Sequence, residues 1–329
     1  MSNAEIPIID IAALTGSDQA APQGLDQIAE KMHTACTGTG FFYVANHGIS
    51  KDLVAEVFEA NRRFHASPLE DKMRVKRNAW HRGYTPLASS TLKSSARFDS
   101  ARLPNLLESI SIRNELSPDD PVYKKVPLQG PNEWPDVPGF RATVERYVAA
   151  VTALGVKLLE TVALAAGQSK DFFKPFFGRP STNLRLIHYP PQPPQRPEDQ
   201  FGIYPHTDYG MLTILAQDDV GGLQVQRVDG SWIDARYIPD TFVINIGDVL
   251  ARWTNDHFNS TPHRVISPAQ SRARYSVAFF MDPELDSIVE PISTFIEAGQ
   301  KSKYEPIRYG DYFAMRLDAN YPDRQAAYA

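Results

Sequence analysis

The chain has 329 residues, 42% of them hydrophobic and 22% charged, an ordinary globular composition with enough length for a sizeable core. A formal net charge of −5 without any long basic stretch argues against nucleic acid as a partner. The single cysteine, Cys36, excludes an intramolecular disulfide, the start MSNAEIPIID lacks the basic-then-apolar order of a secretory leader, and no run approaches the roughly 18 apolar residues of a membrane span. A cytoplasmic setting and no membrane partner are therefore expected.

From the N-terminus, Ile6 to Asp10 alternates as a short strand, and Leu25, Ile28, Met32 and Cys36 then recur at helical spacing until Gly38 and Gly40. Phe41 to Ala45 reads as a buried strand. Ser50 is placed to cap a helix carrying Leu53, Val57 and Phe58, and Ser67-Pro68 repeats that start signal. The basic run Lys72, Arg74, Lys76 and Arg77 reads as a solvated helix end. Trp80 to Asp120 is polar and irregular, with a strand around Leu107 to Ile112. A long helix follows Pro138, with Phe140, Val144, Tyr147, Val151, Leu154 and Leu158 on one stripe, and stops at Gly167.

From about Thr182 the pattern changes to short β runs between turns: Leu184 to Tyr189, Met211 to Ala216, Leu223 to Val228, Phe242 to Ile246 and Tyr275 to Met281. Many short strands with regular turns predict an antiparallel barrel or jelly roll. Pro190 to Pro197 is a connecting loop, since strand patterns continue on both sides. The expected fold class is mostly β with α, a distorted jelly-roll core with a helical N-terminal region packed around it. The organisation is residues 1–180 as helices and short strands, 181–290 as the core and 291–329 as a C-terminal segment packing on it, all one functional unit.

His206 and Asp208 stand two apart in YPHTDYG, so on a strand they share a face. His263 in STPHRVIS would bring a third ligand from another strand. Two histidines and one carboxylate leave octahedral positions open, which suits Fe(II) and O2 chemistry, whereas a structural zinc site would be closed and usually rich in thiolate. His-x-Asp alone carries little weight, and its companions strengthen it. Arg274 and Ser276 in RARYSVAFF again share a strand face, offering a planar fork of donors and a hydroxyl to a carboxylate.

With these residues in view, the chain resembles the isopenicillin N synthase-like family of 2-oxoglutarate and Fe(II)-dependent oxygenases over nearly its whole length. IPIIDIAAL, GFFYVANHGI, RGYTP and NEWPDVPGFR match in character and order, followed by HTDYGMLTIL, GGLQV, FVINIGDVL, STPHRV and RARYSVAFF. His263 lies 57 positions after His206, and Arg274 lies 11 after His263. The resemblance implies iron held by His206, Asp208 and His263, and 2-oxoglutarate held through Arg274, Ser276 and Tyr189. It also implies oxidation of a small-molecule substrate, hydroxylation being the default, with release of succinate and carbon dioxide. One departure concerns the cosubstrate: many relatives carry an amide two residues before the tyrosine, and here that position is Ile187. The family pattern assigns the second histidine ligand to His263 rather than His257, and His47 to a structural turn.

On the substrate side, Phe280 follows Ser276 by four residues on the same face, Tyr204 shares parity with His206 if the strand is regular, and Arg185 shares parity with Tyr189. A cavity arginine favours an anionic substrate, such as a carboxylic or amino acid. His188 points away from Tyr189. Two further readings stay open: an Fe(II) oxidase of the same fold that needs no 2-oxoglutarate, and a non-catalytic jelly-roll binding protein. Succinate formed per oxygen consumed separates the enzymatic readings.

Overall fold

The computed structural model describes residues 6–16, 22–91, 103–191, 197, 199–266 and 272–321. Strands β1 (Ile8–Asp10), β2 (Phe41–Ala45), β3 (Gly83–Thr85), β4 (Glu108–Arg113), β5 (Ser181–Tyr189), β6 (Ile203–His206), β7 (Leu212–Gln217), β8 (Leu223–Gln226), β9 (Trp232–Asp234), β10 (Thr241–Ile246), β11 (His263–Val265) and β12 (Arg274–Asp282) build two sheets. The larger runs β1-β2-β10-β7-β12-β5-β4-β3 and the smaller β6-β11-β8-β9. Except for the parallel β1–β2 pair, the ladders are antiparallel. Four strands of the larger sheet precede Ser181, so the N-terminal region contributes to the sheet as well as to its cover.

The helices are α1 (Ala12–Thr15), α2 (Pro22–Thr37), α3 (Lys51–Ala66), α4 (Leu69–Arg74), α5 (Phe140–Ala165), α6 (Asp248–Trp253) and α7 (Tyr309–Asn320). The apolar stripe of α5 is buried against α2, α3 and the larger sheet, which forms one core. By length and composition α5 is apolar enough to cross a membrane, contrary to the reading of the linear sequence. A glycine at 155 brings α5 close to the sheet, because a Cβ there would lie 2.2 Å from the Met281 sulfur. The helix ends as predicted at Gly167 (φ +68°), where the Gln168 amide returns to the Ala163 carbonyl at 2.9 Å. A second core lies between the sheets, built from residues such as Phe41, Tyr189, Val225 and Val265.

Ser50 caps α3 as expected, its hydroxyl accepting from the Asp52 amide at 3.2 Å. Ser67 does not cap α4. It closes α3 instead, donating to the Arg63 carbonyl at 3.1 Å. The basic run is not wholly solvated: Lys72 is buried and donates to Glu108 at 2.8 Å. The proline-rich loop after Tyr189 lies mostly outside the described residues.

Candidate active site

His206 ends β6 and His263 begins β11, and the two are directly paired across the ladder. Asp208 sits just past the end of β6, so strand alternation alone does not place it. Its carbonyl accepts from the Asp248 amide at the start of α6, 2.8 Å away. Both imidazole Nε2 atoms lie 3.7 Å from Asp208 Oδ1, and one ligand atom from each of the three residues falls within 4.8 Å of the others.

The backbone fixes the ring chemistry. His206 Nδ1 faces the Tyr204 carbonyl at 2.9 Å and His263 Nδ1 faces the Thr261 carbonyl at 3.2 Å. A carbonyl only accepts, so each Nδ1 carries the proton and each Nε2 keeps its lone pair for a metal. Burial, then the neighbouring His263 ring, lowers the His206 pKa, which keeps that ring neutral. Burial alone would raise Asp208, yet the two rings and the hydrogen bonds of Thr213 and Asn245 outweigh it and hold the carboxyl below its ordinary value. Those bonds, from Thr213 Oγ1 at 2.6 Å and Asn245 Nδ2 at 2.7 Å, both go to Oδ2 and leave Oδ1 facing the histidines. Two imidazoles with Nε2 turned inward and one oriented carboxylate fit a divalent iron with open positions, and the absence of thiolate from the donor set disfavours structural zinc.

The triad opens into a cavity of about 180 Å³. Its wall is the inner face of the larger sheet, where register sets the order of side chains. One row runs Asn245, Thr213, Phe280, Asn183, Arg113 across β10, β7, β12, β5 and β4. The next runs Leu215, Ala278, Arg185, Ser111. Further along, Arg274 pairs with Tyr189 and Ser276 with Ile187. Arg274 and Ser276 are almost fully buried. Arg274 Nε donates to the Gly221 carbonyl at 2.7 Å, one terminal nitrogen reaches Ser276 Oγ at 3.4 Å, and the guanidinium lies 4.7 Å from the Tyr189 ring centroid. Ile187 fills the place of the missing amide with apolar surface.

Phe280 and Arg185 both line the cavity. Arg185 Nε donates to Ser109 Oγ at 3.0 Å, and among the described residues it makes no ion pair. Tyr204 is the exception among the sequence candidates. It does not line the cavity, and its ring sits edge-on to Phe201 at 5.4 Å. The cause is an irregular register: three steps along β6, from Ile203 to His206, oppose two along β11, so Ile203 rather than Tyr204 shares the face of His206. His188 turns away as expected, bonding Glu108 at 2.7 Å and stacking on Tyr275. His257 sits remote from the triad, against His33 and Phe295. His47 packs on Phe242.

The sequence suggests that the C-terminal segment walls the cavity but does not show its shape, which is the helix α7 with Phe313, Leu317 and Asn320, followed by Tyr321. The signal was present as Tyr309, Phe313, Leu317 and Tyr321, a four-residue spacing. Thr213 and Asn245 were missed, since their value depends on register across three strands.

A jelly-roll core carrying His206 and His263, their Nε2 atoms turned to an oriented Asp208, defines a non-haem Fe(II) oxygenase. Residues 180–283 match the 2OG-Fe(II) oxygenase superfamily, and residues 6–137 match the N-terminal region described for a non-haem dioxygenase in morphine synthesis. The chain belongs to the 2-oxoglutarate and Fe(II)-dependent oxygenases. It is 35% identical to the 2-oxoglutarate-Fe(II) type oxidoreductase hxnY of Emericella nidulans, over 93% of this chain and 87% of that one. It is 34% identical to a homoarginine-6-hydroxylase of Oryza sativa subsp. japonica, over 96% and 97%. The crystal structure of a full-length Neurospora crassa protein in complex with α-ketoglutarate and thymine superposes with a TM-score of 0.83 at 32% identity, covering 95% and 96%. The protein is thus a 2-oxoglutarate-dependent oxygenase acting on a small molecule.

Proposed function

We propose that the enzyme hydroxylates a small carboxylic or amino acid whose apolar part rests on Phe280 and whose carboxylate pairs with Arg185. The observation that carries this reading is the Arg185 guanidinium, which lines the cavity without an ion pair among the described residues. Arg185 is half-buried on the cavity wall, and a substrate that displaces the remaining water from such a cation is favoured when it brings an anion to meet it. Arg274, Ser276 and Tyr189 are assigned to the distal carboxylate of 2-oxoglutarate, which leaves Arg185 for the substrate. Bound Fe(II) supplies oxygen activation coupled to decarboxylation of 2-oxoglutarate to succinate and carbon dioxide. The chain's own residues do the rest: His206, His263 and Asp208 hold the ion on one side, Thr213 and Asn245 keep Asp208 turned toward it, and Phe280 with Leu317 of α7 excludes water. The buried thiol of Cys36 needs no oxidising compartment, and a cytoplasmic location belongs to this reading.

The test is Arg185→Met, which keeps much of the volume and removes the charge. Substrate-independent decarboxylation of 2-oxoglutarate should persist while stimulation by a panel of carboxylic and amino acids falls roughly tenfold or more, the loss of one charged hydrogen bond. A neutral compound that proves the best substrate, and is turned over normally by Arg185→Met, would defeat the assignment.

A further inference from the structure

Behind the proposed cosubstrate grip, α3 presents a polar side chain where a helix facing a sheet ordinarily presents an apolar one. Asn61 is fully buried, and its Nδ2 donates to two main-chain carbonyls, Ile187 at 3.3 Å and Ser276 at 3.2 Å. These residues face each other across β5 and β12, so one amide ties both strands at a single rung. On the cavity face the next pair along is Arg274–Tyr189, with Tyr275–His188 between them facing the other way. The same helix touches the strand beside it: Arg62 lies 5.7 Å from the Tyr275 ring centroid, and Tyr275 stacks on His188 at 4.8 Å. His65, one turn on, returns a ring nitrogen to the Asn61 carbonyl at 3.0 Å.

The arrangement carries a cost. Asn61 Oδ1 is buried with no hydrogen-bond partner among the described residues. An orphaned buried acceptor costs about 1–3 kcal/mol, and strand carbonyls do not require a second donor. A leucine of similar volume would avoid that cost and fill the same space. Stability alone therefore gives no reason for an amide here, whereas its place beside the cosubstrate residues does.

We propose that Asn61 is a positioning residue for 2-oxoglutarate: by fixing the Ile187 and Ser276 carbonyls it sets the spacing of β5 and β12, and hence the aim of Ser276, Arg274 and Tyr189. The inference rests on the assignment of those three residues to the cosubstrate. Asn61 touches neither metal nor cosubstrate and acts only through the strands.

The experiment titrates 2-oxoglutarate calorimetrically into Fe(II)-loaded protein without oxygen, for wild type, Asn61→Leu, Asn61→Ala and Arg274→Ala, with thermal midpoints measured in parallel. Asn61→Leu is expected to hold or raise the midpoint while weakening 2-oxoglutarate about tenfold, with Fe(II) affinity unchanged. Asn61→Ala, which leaves a cavity instead of an apolar fill, keeps the test open if the leucine does not fold. It should weaken 2-oxoglutarate to a similar degree and raise its KM more than it lowers kcat. A dissociation constant within about threefold of wild type in the folded variants, beside a weakened Arg274→Ala, overturns the role of Asn61 alone. Normal binding by Arg274→Ala overturns the cosubstrate assignment and this inference with it.

Discussion

Asp208 turns one oxygen toward His206 and His263, where it would meet a metal, and gives the other to Thr213 and Asn245. Removing such an outer partner typically costs about 10–100-fold in metal affinity. Asn245→Ala should therefore weaken Fe(II) by that range in an anaerobic metal titration, with Thr213 retaining part of the orientation. His206→Ala, Asp208→Ala and His263→Ala should each abolish Fe(II)-dependent turnover. His257→Ala, remote from the triad, should stay active, and full activity in His263→Ala would remove the basis for the centre. Arg274→Ala deletes a charged bond of about 1.5–3 kcal/mol, so the KM for 2-oxoglutarate should rise roughly tenfold or more in initial-rate assays, and Ser276→Ala should do less.

Between strands, glycines set how closely the turn after the metal ligands can pack. A Cβ on Gly210 would lie 1.8 Å from Asp282 Oδ1, and that carboxylate already accepts from the Met211 amide at 2.7 Å. Gly247 meets the Gly210 carbonyl in the same way, at 2.2 Å. Gly210→Ala should cost about 1–3 kcal/mol by overpacking and shift Asp208 two residues away, giving a lower urea midpoint together with weaker Fe(II) binding. The long elements were legible in the sequence because their signals are local. The stripe of α5 and the runs at β5, β7, β10 and β12 fall within a few residues of their predicted limits. The triad was legible through ordered motifs. Tyr204 was misplaced because an irregular rung inverted its face, and no period shows that in advance. Short β3 and β9, three residues each, exist by virtue of their partners rather than their own pattern.

At the scale of the molecule, a buried polar cluster joins α3, α4 and the outer strands behind the cavity. Burial alone would raise the Glu108 pKa, yet hydrogen bonds from His188, Lys72 and Tyr84 outweigh it and bring it down to about 2, from an ordinary 4.5. Burial brings His65 down to about 3, from 6.5, so it is neutral in the folded state. The signs agree. The Glu108 contribution is complete above pH 4.5 and is lost as pH falls toward 2, while that of His65 is complete above 6.5 and is lost between 6.5 and 3. These two groups should therefore make urea midpoints decline as pH falls below 6.5. Glu108→Gln should lower the midpoint at neutral pH, because Lys72 is left buried without its anion, and flatten the slope below pH 4.5. A variant with the wild-type slope there would assign the acid sensitivity elsewhere.

The two sheets also divide the chemistry between them. His206 and His263 hang from the smaller sheet, whereas Phe280, Asn183, Arg185 and Arg113 stand on neighbouring rungs of the larger one. The two histidines and these cavity side chains thus stand on different sheets, while Thr213, Asn245, Arg274, Ser276 and Tyr189 share the larger sheet with the latter. A lineage that exchanges the residues at 183, 185 and 280 would leave both histidines on the opposite sheet untouched, a freedom that a site built on a single strand or helix would lack.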